Sequence, residues 1–243
     1  MQLDSLALAR LVDAGRPLLV GATVRDCQIA PDGQGLLMGL AGPSGFRTLR
    51  FSVQRRYSRW HLAGKLPSRV EALENHVSTV ARQKLLGATL TALTVEPGER
   101  ILVCDFVRRD FTGEEEQARL IAELMGPASN LLILDHDGII DATWKIAHSY
   151  ENTFREVRPG KPYHPPPPAG RYPMRVLGID EWREFFQQMP VEQTLQSALL
   201  QTFRGITPGV VQSVLATLEW GKNIRIIEVP DGSIPAWAAA MED

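Results

Sequence analysis

The spacing of apolar residues changes three times along the chain, and the changes divide it. Leu6, Leu8, Leu11 and Val12 fall near helical spacing, with Ser5 placed to cap the helix and Gly15, Arg16 and Pro17 placed to end it. From Leu18 to about Arg59 the pattern becomes a series of short β-rich runs, PLLVGATVRDCQIA, QGLLMGLAG and FRTLRFSVQ. Pro31-Asp32-Gly33 and Gly42-Pro43-Ser44-Gly45 separate them and have turn composition. An antiparallel meander is expected. A helix should follow Pro67, capped by Ser68 with Glu71 as capping-box partner, faced by Leu73, Val77, Val80 and Leu85, and closed by Gly87. β patterning then returns in ALTVEPG, RILVCDFVRRD, ARLIAELMG, NLLILDHDG and IIDATWKIA. Asp135-His136-Asp137-Gly138 reads as a hairpin turn, because Asp-Gly tolerates the positive φ such turns require.

The last change follows RPGKPYHPPPPAGRYP, residues 158–173, whose four consecutive prolines suit neither sheet nor helix and predict a stiff connector. Beyond it DEWREFFQQM, VEQTLQSALLQTF and PGVVQSVLATLEWG have helical spacing, and IRIIEVPDGSIPAWAAAMED offers one short strand and no strong signal. The reading is an α+β domain rich in antiparallel strands over residues 1–172 and a small all-α domain over residues 174–243.

Composition changes this picture little. With 243 residues, 44% of them hydrophobic and 22% charged, the chain can bury cores without disulfides or metals. A formal charge of −2 supplies no global basic field, so any nucleic-acid partner must be met by a local basic face. Cys27 and Cys104 lie in apolar strand-like runs and read as buried, reduced thiols. No zinc-ligand spacing occurs, and no metal or cofactor is expected. MQLDSLALARLVDAG lacks the features of a signal peptide, and no apolar run is long enough to span a bilayer. A cytoplasmic protein with no membrane partner is expected.

Candidate chemistry is sparse. Phosphate-cradling, dinucleotide and nucleophile-elbow motifs are missing, and His61, His76, His136, His148 and His164 are dispersed. Glu114-Glu115-Glu116 reads as a solvated acidic loop, and Arg108-Arg109-Asp110 as a charged turn. Arg47, Arg50, Arg55, Arg56 and Arg59, interleaved with Tyr57 and Trp60, can be read as a phosphate-pairing, base-stacking face or as a solvated strand. In FRGITPGVVQSVL, Gly205, Thr207, Pro208 and Gly209 suit a helix-hairpin-helix turn whose second helix offers backbone amides to a phosphate, or an ordinary αα-hairpin. Arg55, Arg56, Arg59, Gly205, Thr207 and Gly209 are thus the candidate phosphate contacts.

ELMGPASNLLILDHDGIIDA resembles a stretch of the NFACT, or fibronectin-binding-protein-A-like, family, in which a Glu-x-Met-Gly strand end precedes Ser-Asn and a hydrophobic strand ending in Asp. RWHLAG, Gly98-Glu99-Arg100-Ile101 and REVRPGKPYHPPPP also resemble family segments and occur in family order, the last of them ending at Pro168. The resemblance implies an amino-terminal domain similar in fold to that of formamidopyrimidine-DNA glycosylases, followed by a helix-hairpin-helix domain. It implies a non-enzymatic ribosome quality-control factor that binds tRNA and the large ribosomal subunit holding an obstructed peptidyl-tRNA, and supports carboxyl-terminal tailing of the stalled chain. The family's Asp-Arg pair maps onto Glu99 and Arg100, and the tRNA-binding set would be Glu99, Arg100, Glu123, Met125, Gly126 and Asn130. Glu99 replaces the family's Asp, and Pro127 and Ala128 replace a basic residue and a histidine. Complete family members continue into a coiled-coil module and a further RNA-binding domain. The alternatives are a divergent or truncated interaction protein without tailing activity and, with no amino-terminal proline nucleophile to support it, a glycosylase-like enzyme. Fibronectin enters as a partner only through the family label.

Overall fold

The computed structural model describes residues 4–68, 73–109, 112–148, 155–167, 172–173, 177–230 and 232–242. It is an α+β structure with a large antiparallel sheet, and the chain separates into two units. One comprises Ala7–Glu96 and Arg100–Pro167, the other Asp4–Leu6, Pro97–Glu99 and Pro168–Asp243.

The first unit is a nine-stranded antiparallel sheet with two helices, α1 (Ser5–Leu19), whose first two residues belong to the other unit, and α2 (His76–Leu85). Its strands are β1 (Thr23–Ile29), β2 (Gly35–Gly42), β3 (Gly45–Ser52), β4 (Arg59–Ala63), β5 (Thr89–Val95), β6 (Ile101–Arg109), β7 (Glu115–Glu123), β8 (Asn130–Leu134) and β9 (Ile140–Thr143), in the order β4-β3-β2-β1-β5-β6-β7-β8-β9. The meander and the five later strands fall where the β-rich runs place them. Leu36, Met38 and Leu40 of β2, Leu49 and Phe51 of β3, Leu120 and Ala122 of β7 and Ile133 of β8 join one buried cluster with Leu8, Val12 and Leu19 of α1 and Val77, Ala81 and Leu85 of α2. Both halves of the sheet therefore contribute to a single, mainly aliphatic core.

Several local expectations are corrected. α1 begins at Ser5 and continues through Pro17 to Leu19. Leu19, fully buried, extends the inward face past the proline, and Arg16 Nε donates to the Leu93 carbonyl at 3.1 Å. Gly15 does not end the helix but lets it approach Trp60, whose Cη2 would lie 2.9 Å from a Cβ at that position. α2 is capped by Asn75, with Ser78 completing a capping box, and not by Ser68. The proposed Glu71 partner lies outside the described residues. Glu115 and Glu116 are not loop residues: they open β7 and pair with Arg109 and Arg108 across β6.

The other face of β6–β9 carries a second apolar cluster, Ile101, Val103, Ile121, Leu132, Leu134, Ile140 and Val157. A strap of residues 155–163 covers it. Val157 bridges Ala147, Pro162 bridges Ile139, and Ile140 N–H donates to the Lys161 carbonyl at 2.9 Å. The stretch expected as a stiff connector begins as part of the sheet unit, and the division between units falls after Pro167.

In the second unit, helices α3 (Ile179–Gln188), α4 (Leu195–Thr202), α5 (Pro208–Thr217) and α6 (Ile234–Glu242) enclose a core rich in aromatic side chains, with a short parallel pair β10 (Tyr172–Pro173) and β11 (Phe203–Arg204). The expected strand in IRIIEV is a single 3-10 turn, Ile226–Glu228, and the carboxyl end forms α6, which buries Trp237.

Candidate nucleic-acid interface

The segment between β7 and β8 is fixed by its neighbours at several points. Leu124 N–H donates to the Arg100 carbonyl at 2.8 Å, continuing the β6–β7 ladder in which Ile101 faces Glu123. Gly126 adopts φ +62°, a conformation that favours glycine, and opens a 3-10 turn over Gly126–Ala128. Its buried N–H donates to Ser58 Oγ at 3.0 Å. The Lys145 ammonium donates to the Pro127 carbonyl at 2.9 Å.

The Ser58 bond determines what lies beside this turn. Arg55, Arg56 and Tyr57 directly precede Ser58 in the β3–β4 connection and Arg59 follows it, all four exposed. Consecutive Cα atoms are about 3.8 Å apart, so the arginines are held within a few residues' reach of Gly126. Arg100 approaches the same turn through its carbonyl and Lys145 through its side chain. Four cations, Arg55, Arg56, Arg59 and Lys145, and one exposed tyrosine therefore border one loop, and Arg100 adjoins the strand end before it through its backbone. Trp60 does not belong to this face: it is 3% exposed and packs on α1. Arg50 is turned to Asp32, with which it pairs.

Glu123 and Asn130 build the frame of this loop. Glu123 is fully buried, and both carboxylate oxygens accept from Arg155, at 2.6 and 2.7 Å, while the Tyr163 hydroxyl donates to Oε1 at 3.0 Å. Burial alone would lower the Arg155 pKa, but the Glu123 carboxylate more than offsets this and holds it above its ordinary value. Burial, followed by the Glu123 charge, pushes the Tyr163 hydroxyl well above its usual range. Asn130 Oδ1 accepts from the N–H groups of Leu131 and Lys145, at 3.0 and 2.9 Å, and its Nδ2 donates to the Lys145 carbonyl at 3.0 Å. This clamps the chain after β9 to the start of β8 and positions Lys145. Met125 packs against the second apolar cluster beside Tyr163.

The other expected residues lie in the second unit. Glu99 Oε1 is 2.8 Å from Arg204 Nε. Gly205 takes φ +94°, and its carbonyl accepts from the Ser5 hydroxyl at 2.6 Å. A Cβ there would lie 2.7 Å from the Gly98 carbonyl oxygen, so the glycine is required by close packing. Thr207 caps α5 by accepting from Val210 N–H at 3.4 Å, and Pro208 occupies the first turn. Gly209 is exposed at that helix start.

Two signals went unused in the sequence. Lys145 lies next to the loop only because β8 and β9 pair, which a linear motif does not display. Charge is also divided along the chain: residues 177–243 carry four Lys or Arg against nine Asp or Glu, a net −5, leaving +3 on residues 1–176. Both cysteines are buried thiols outside any disulfide, and the Cys104 pKa is raised far above its ordinary value by burial and then by Asp105. Among the described residues, no helix is long and apolar enough to cross a membrane.

The family model described as NFACT N-terminal and middle domains matches residues 4–243. The chain is 30% identical over 134 residues to the Rqc2 homolog RqcH of Streptococcus suis, covering 54% of this chain and 24% of that protein. It is 26% identical over 168 residues to the Rqc2 homolog RqcH of Bacillus subtilis, covering 66% and 28% respectively. The matched region thus spans about a quarter of the length of these curated relatives. In fold it is similar to the amino-terminal part of the fibronectin/fibrinogen-binding protein from Streptococcus suis, with a TM-score of 0.84 at 19% identity, covering 100% of this chain and 85% of that one. It is also similar to the amino-terminal domain of the fibronectin-binding protein PavA from Streptococcus pneumoniae, with a TM-score of 0.78 at 21% identity over 90% of this chain and 85% of that one. With the family model covering nearly every residue, the chain belongs to the NFACT family.

Proposed function

We propose that this chain is the RNA-binding, non-enzymatic part of a ribosome quality-control factor acting in the cytoplasm. It binds tRNA and the large ribosomal subunit holding an obstructed peptidyl-tRNA, in support of carboxyl-terminal tailing. The observation that carries the reading is the Ser58 Oγ to Gly126 N–H hydrogen bond, which joins the arginine loop to the turn characteristic of the family. Arg55, Arg56, Arg59, Arg100 and Lys145 supply phosphate partners, and Tyr57 supplies a stacking surface. Lys145, resting on the Pro127 carbonyl, restores a cation to a loop whose own basic position is filled by Pro127. Glu123, Met125 and Asn130 act through this loop by fixing its shape, and Gly126 by permitting its turn.

In the second unit we read α4, the Gly205 turn and α5 as a helix-hairpin-helix. The positive φ of Gly205 and the Thr207 cap support this reading. Gly209 is the turn residue whose backbone can meet a phosphate, and Gly205 and Thr207 shape the turn. Contacts here are secondary, because the surrounding residues are net acidic. Glu99 acts through Arg204, its ion-pair partner. The kinship with the formamidopyrimidine-DNA glycosylase amino-terminal domain concerns fold alone: a curled antiparallel sheet preceding a helical hairpin.

Fluorescence anisotropy with labelled tRNA tests this directly. Arg100→Ala, and Arg55→Ala combined with Arg56→Ala, should each weaken binding by about 1–3 kcal/mol through lost charge-assisted contacts. The salt dependence should become shallower by about one unit of slope per phosphate contact removed. Absence of tRNA affinity at low salt would overturn the direct-binding reading. Co-sedimentation of the full-length protein with free large subunits tests the ribosomal half separately.

A further inference from the structure

The strap of residues 155–163 does more than cover the second apolar cluster, because two of its side chains converge on one carboxylate. Arg155 Nη1 and Nη2 donate to the two oxygens of Glu123 at 2.6 and 2.7 Å, and the Tyr163 hydroxyl donates to Oε1 at 3.0 Å. Arg155 Nη1 also donates to the His164 carbonyl at 2.8 Å. The guanidinium thus ties the start of the strap both to its end and to β7. A carboxylate gripped by a fork and a hydroxyl has its position and its orientation fixed.

Glu123 is the point at which this grip can reach the candidate interface. It closes β7 and lies in one cross-strand row with Ile101 of β6 and Asn130 of β8. Arg100 directly precedes Ile101, Met125 and Gly126 follow Glu123 after one residue, and Asn130 Oδ1 holds the Lys145 N–H. Met125 and Tyr163 pack against the same apolar cluster. The strap therefore bears on the turn twice, through the Glu123 carboxylate and through the cluster on which Met125 rests. Elsewhere the strap is joined to the sheet unit by backbone bonds and by Val157, and the charged grip falls at the strand end that leads into the turn. Arg155 has only 10% of its side chain exposed and directs both terminal nitrogens inward, so its influence on a ligand must pass through Glu123.

We propose that Arg155 and Tyr163 are positioning residues for the tRNA-contacting turn. Acting through Glu123, they hold Gly126 against Ser58, and so keep the arginine loop and Lys145 beside one turn while touching no RNA themselves. The proposal rests on the tRNA reading of this loop, and its first measurement needs no RNA.

Tyr163→Phe removes one donor and leaves the Arg155 fork in place, so the complete 243-residue chain should keep its fold. Its thermal midpoint should fall by no more than about 2–4 °C. Amide exchange followed by NMR should quicken at the Gly126 N–H, while Leu120 and Ile133 in the core keep wild-type rates. Labelled tRNA should bind about five-fold more weakly, the scale for a side chain that modulates a site without touching its ligand. The salt slope should stay at the wild-type value, because no phosphate contact is lost. Arg155→Lys keeps the charge but cannot span both oxygens, and should act in the same direction and further. Val157→Ala is the control for stability: it loosens the apolar packing of the strap, leaves the grip on Glu123, and should lower the midpoint with Gly126 exchange and tRNA affinity unchanged. Unchanged Gly126 exchange in Tyr163→Phe would overturn the proposal. So would equal losses of tRNA affinity in Val157→Ala and Tyr163→Phe at the same midpoint, which would reduce the grip to ordinary stability. If the wild type binds no tRNA at low salt while Gly126 exchange still responds to Tyr163→Phe, the tRNA reading fails and the hold of the strap on the turn stands.

Discussion

The two units solve the problem of burial with different materials. The sheet unit fills its larger core mainly with Leu, Val, Ile and Ala, with Phe51, Trp60 and Phe106 among them, and holds the ion pair Glu123–Arg155 at its 155–163 strap. The helical unit has fewer residues to bury and uses larger ones. Trp182 meets Phe185 and Trp237 edge-on, each with ring centroids 5.5 Å apart, and Trp220 stacks on Trp237 at 5.9 Å. Aromatic rings supply more buried area per residue, which a short helical unit needs. The surfaces diverge as well, with the basic excess lying before Leu177 and the acidic excess from Leu177 onward. The contrast is therefore one of surface charge as well as of core material, with the basic excess on the sheet side and the acidic excess on the helical side.

The largest test of this contrast is Glu123→Ala. Removing the carboxylate leaves Arg155 with 10% of its side chain exposed and no charged partner in Glu123, a change that typically costs about 3–5 kcal/mol. Hydrogen exchange should show protection falling in β6–β9 while α3–α6 keep theirs. Equal loss in both units would show that the division into two stability elements is wrong. A smaller effect is expected of Ser58→Ala, which strands the buried Gly126 N–H at a cost of about 1–3 kcal/mol. If the tie also orients the arginine loop, tRNA affinity should fall in the same variant, and that affinity is the measurement that separates loop positioning from ordinary stability.

How much of this could be read from the chain differs between the units in an instructive way. Strands β1–β3 and β5–β9 were legible because β-rich runs and turn residues are local signals, and the Asp135–Gly138 turn behaves as its composition requires. Asp135 Oδ1 accepts from the N–H groups of Asp137 and Ile139, and Gly138 takes a positive φ. Misread features depend on distant partners. Gly15 reads as a helix end until Trp60 is known to lie against it, and Arg155, which fills both oxygens of Glu123, lies too far along the chain for a linear motif to show the pairing. α6 escaped detection because IPAWAAAME is short and apolar on most sides, and its helical form depends on burying Trp237 in an aromatic cluster assembled from other segments of the unit. At the candidate interface, the sequence supplied the turn and the arginines separately, and the Ser58 bond that unites them has no sequence signature.

The smallest effect concerns pH and again separates the units. All five histidines fall between His61 and His164, and residues 177–243 contain none. His61 on β4 is held below its ordinary value near 6.5, first by burial and then by the nearby Arg59 and Arg50 charges. The folded state thus binds its proton less readily than the unfolded chain. The stabilisation is complete above about 6.5 and is lost as pH falls below that value toward the lowered folded pKa. In the helical unit the corresponding shift is that of Glu228, lowered from 4.5 first by its hydrogen bond to the Arg225 side chain, so stability there is lost only as pH falls below that value. Thermal unfolding between about pH 7.5 and 5.5 should therefore show a declining midpoint for the sheet unit, a flatter profile in His61→Gln, and little histidine-linked change in the helical unit. A slope unchanged by His61→Gln would remove His61 as its source and return the cationic β3–β4 face to an electrostatically ordinary surface.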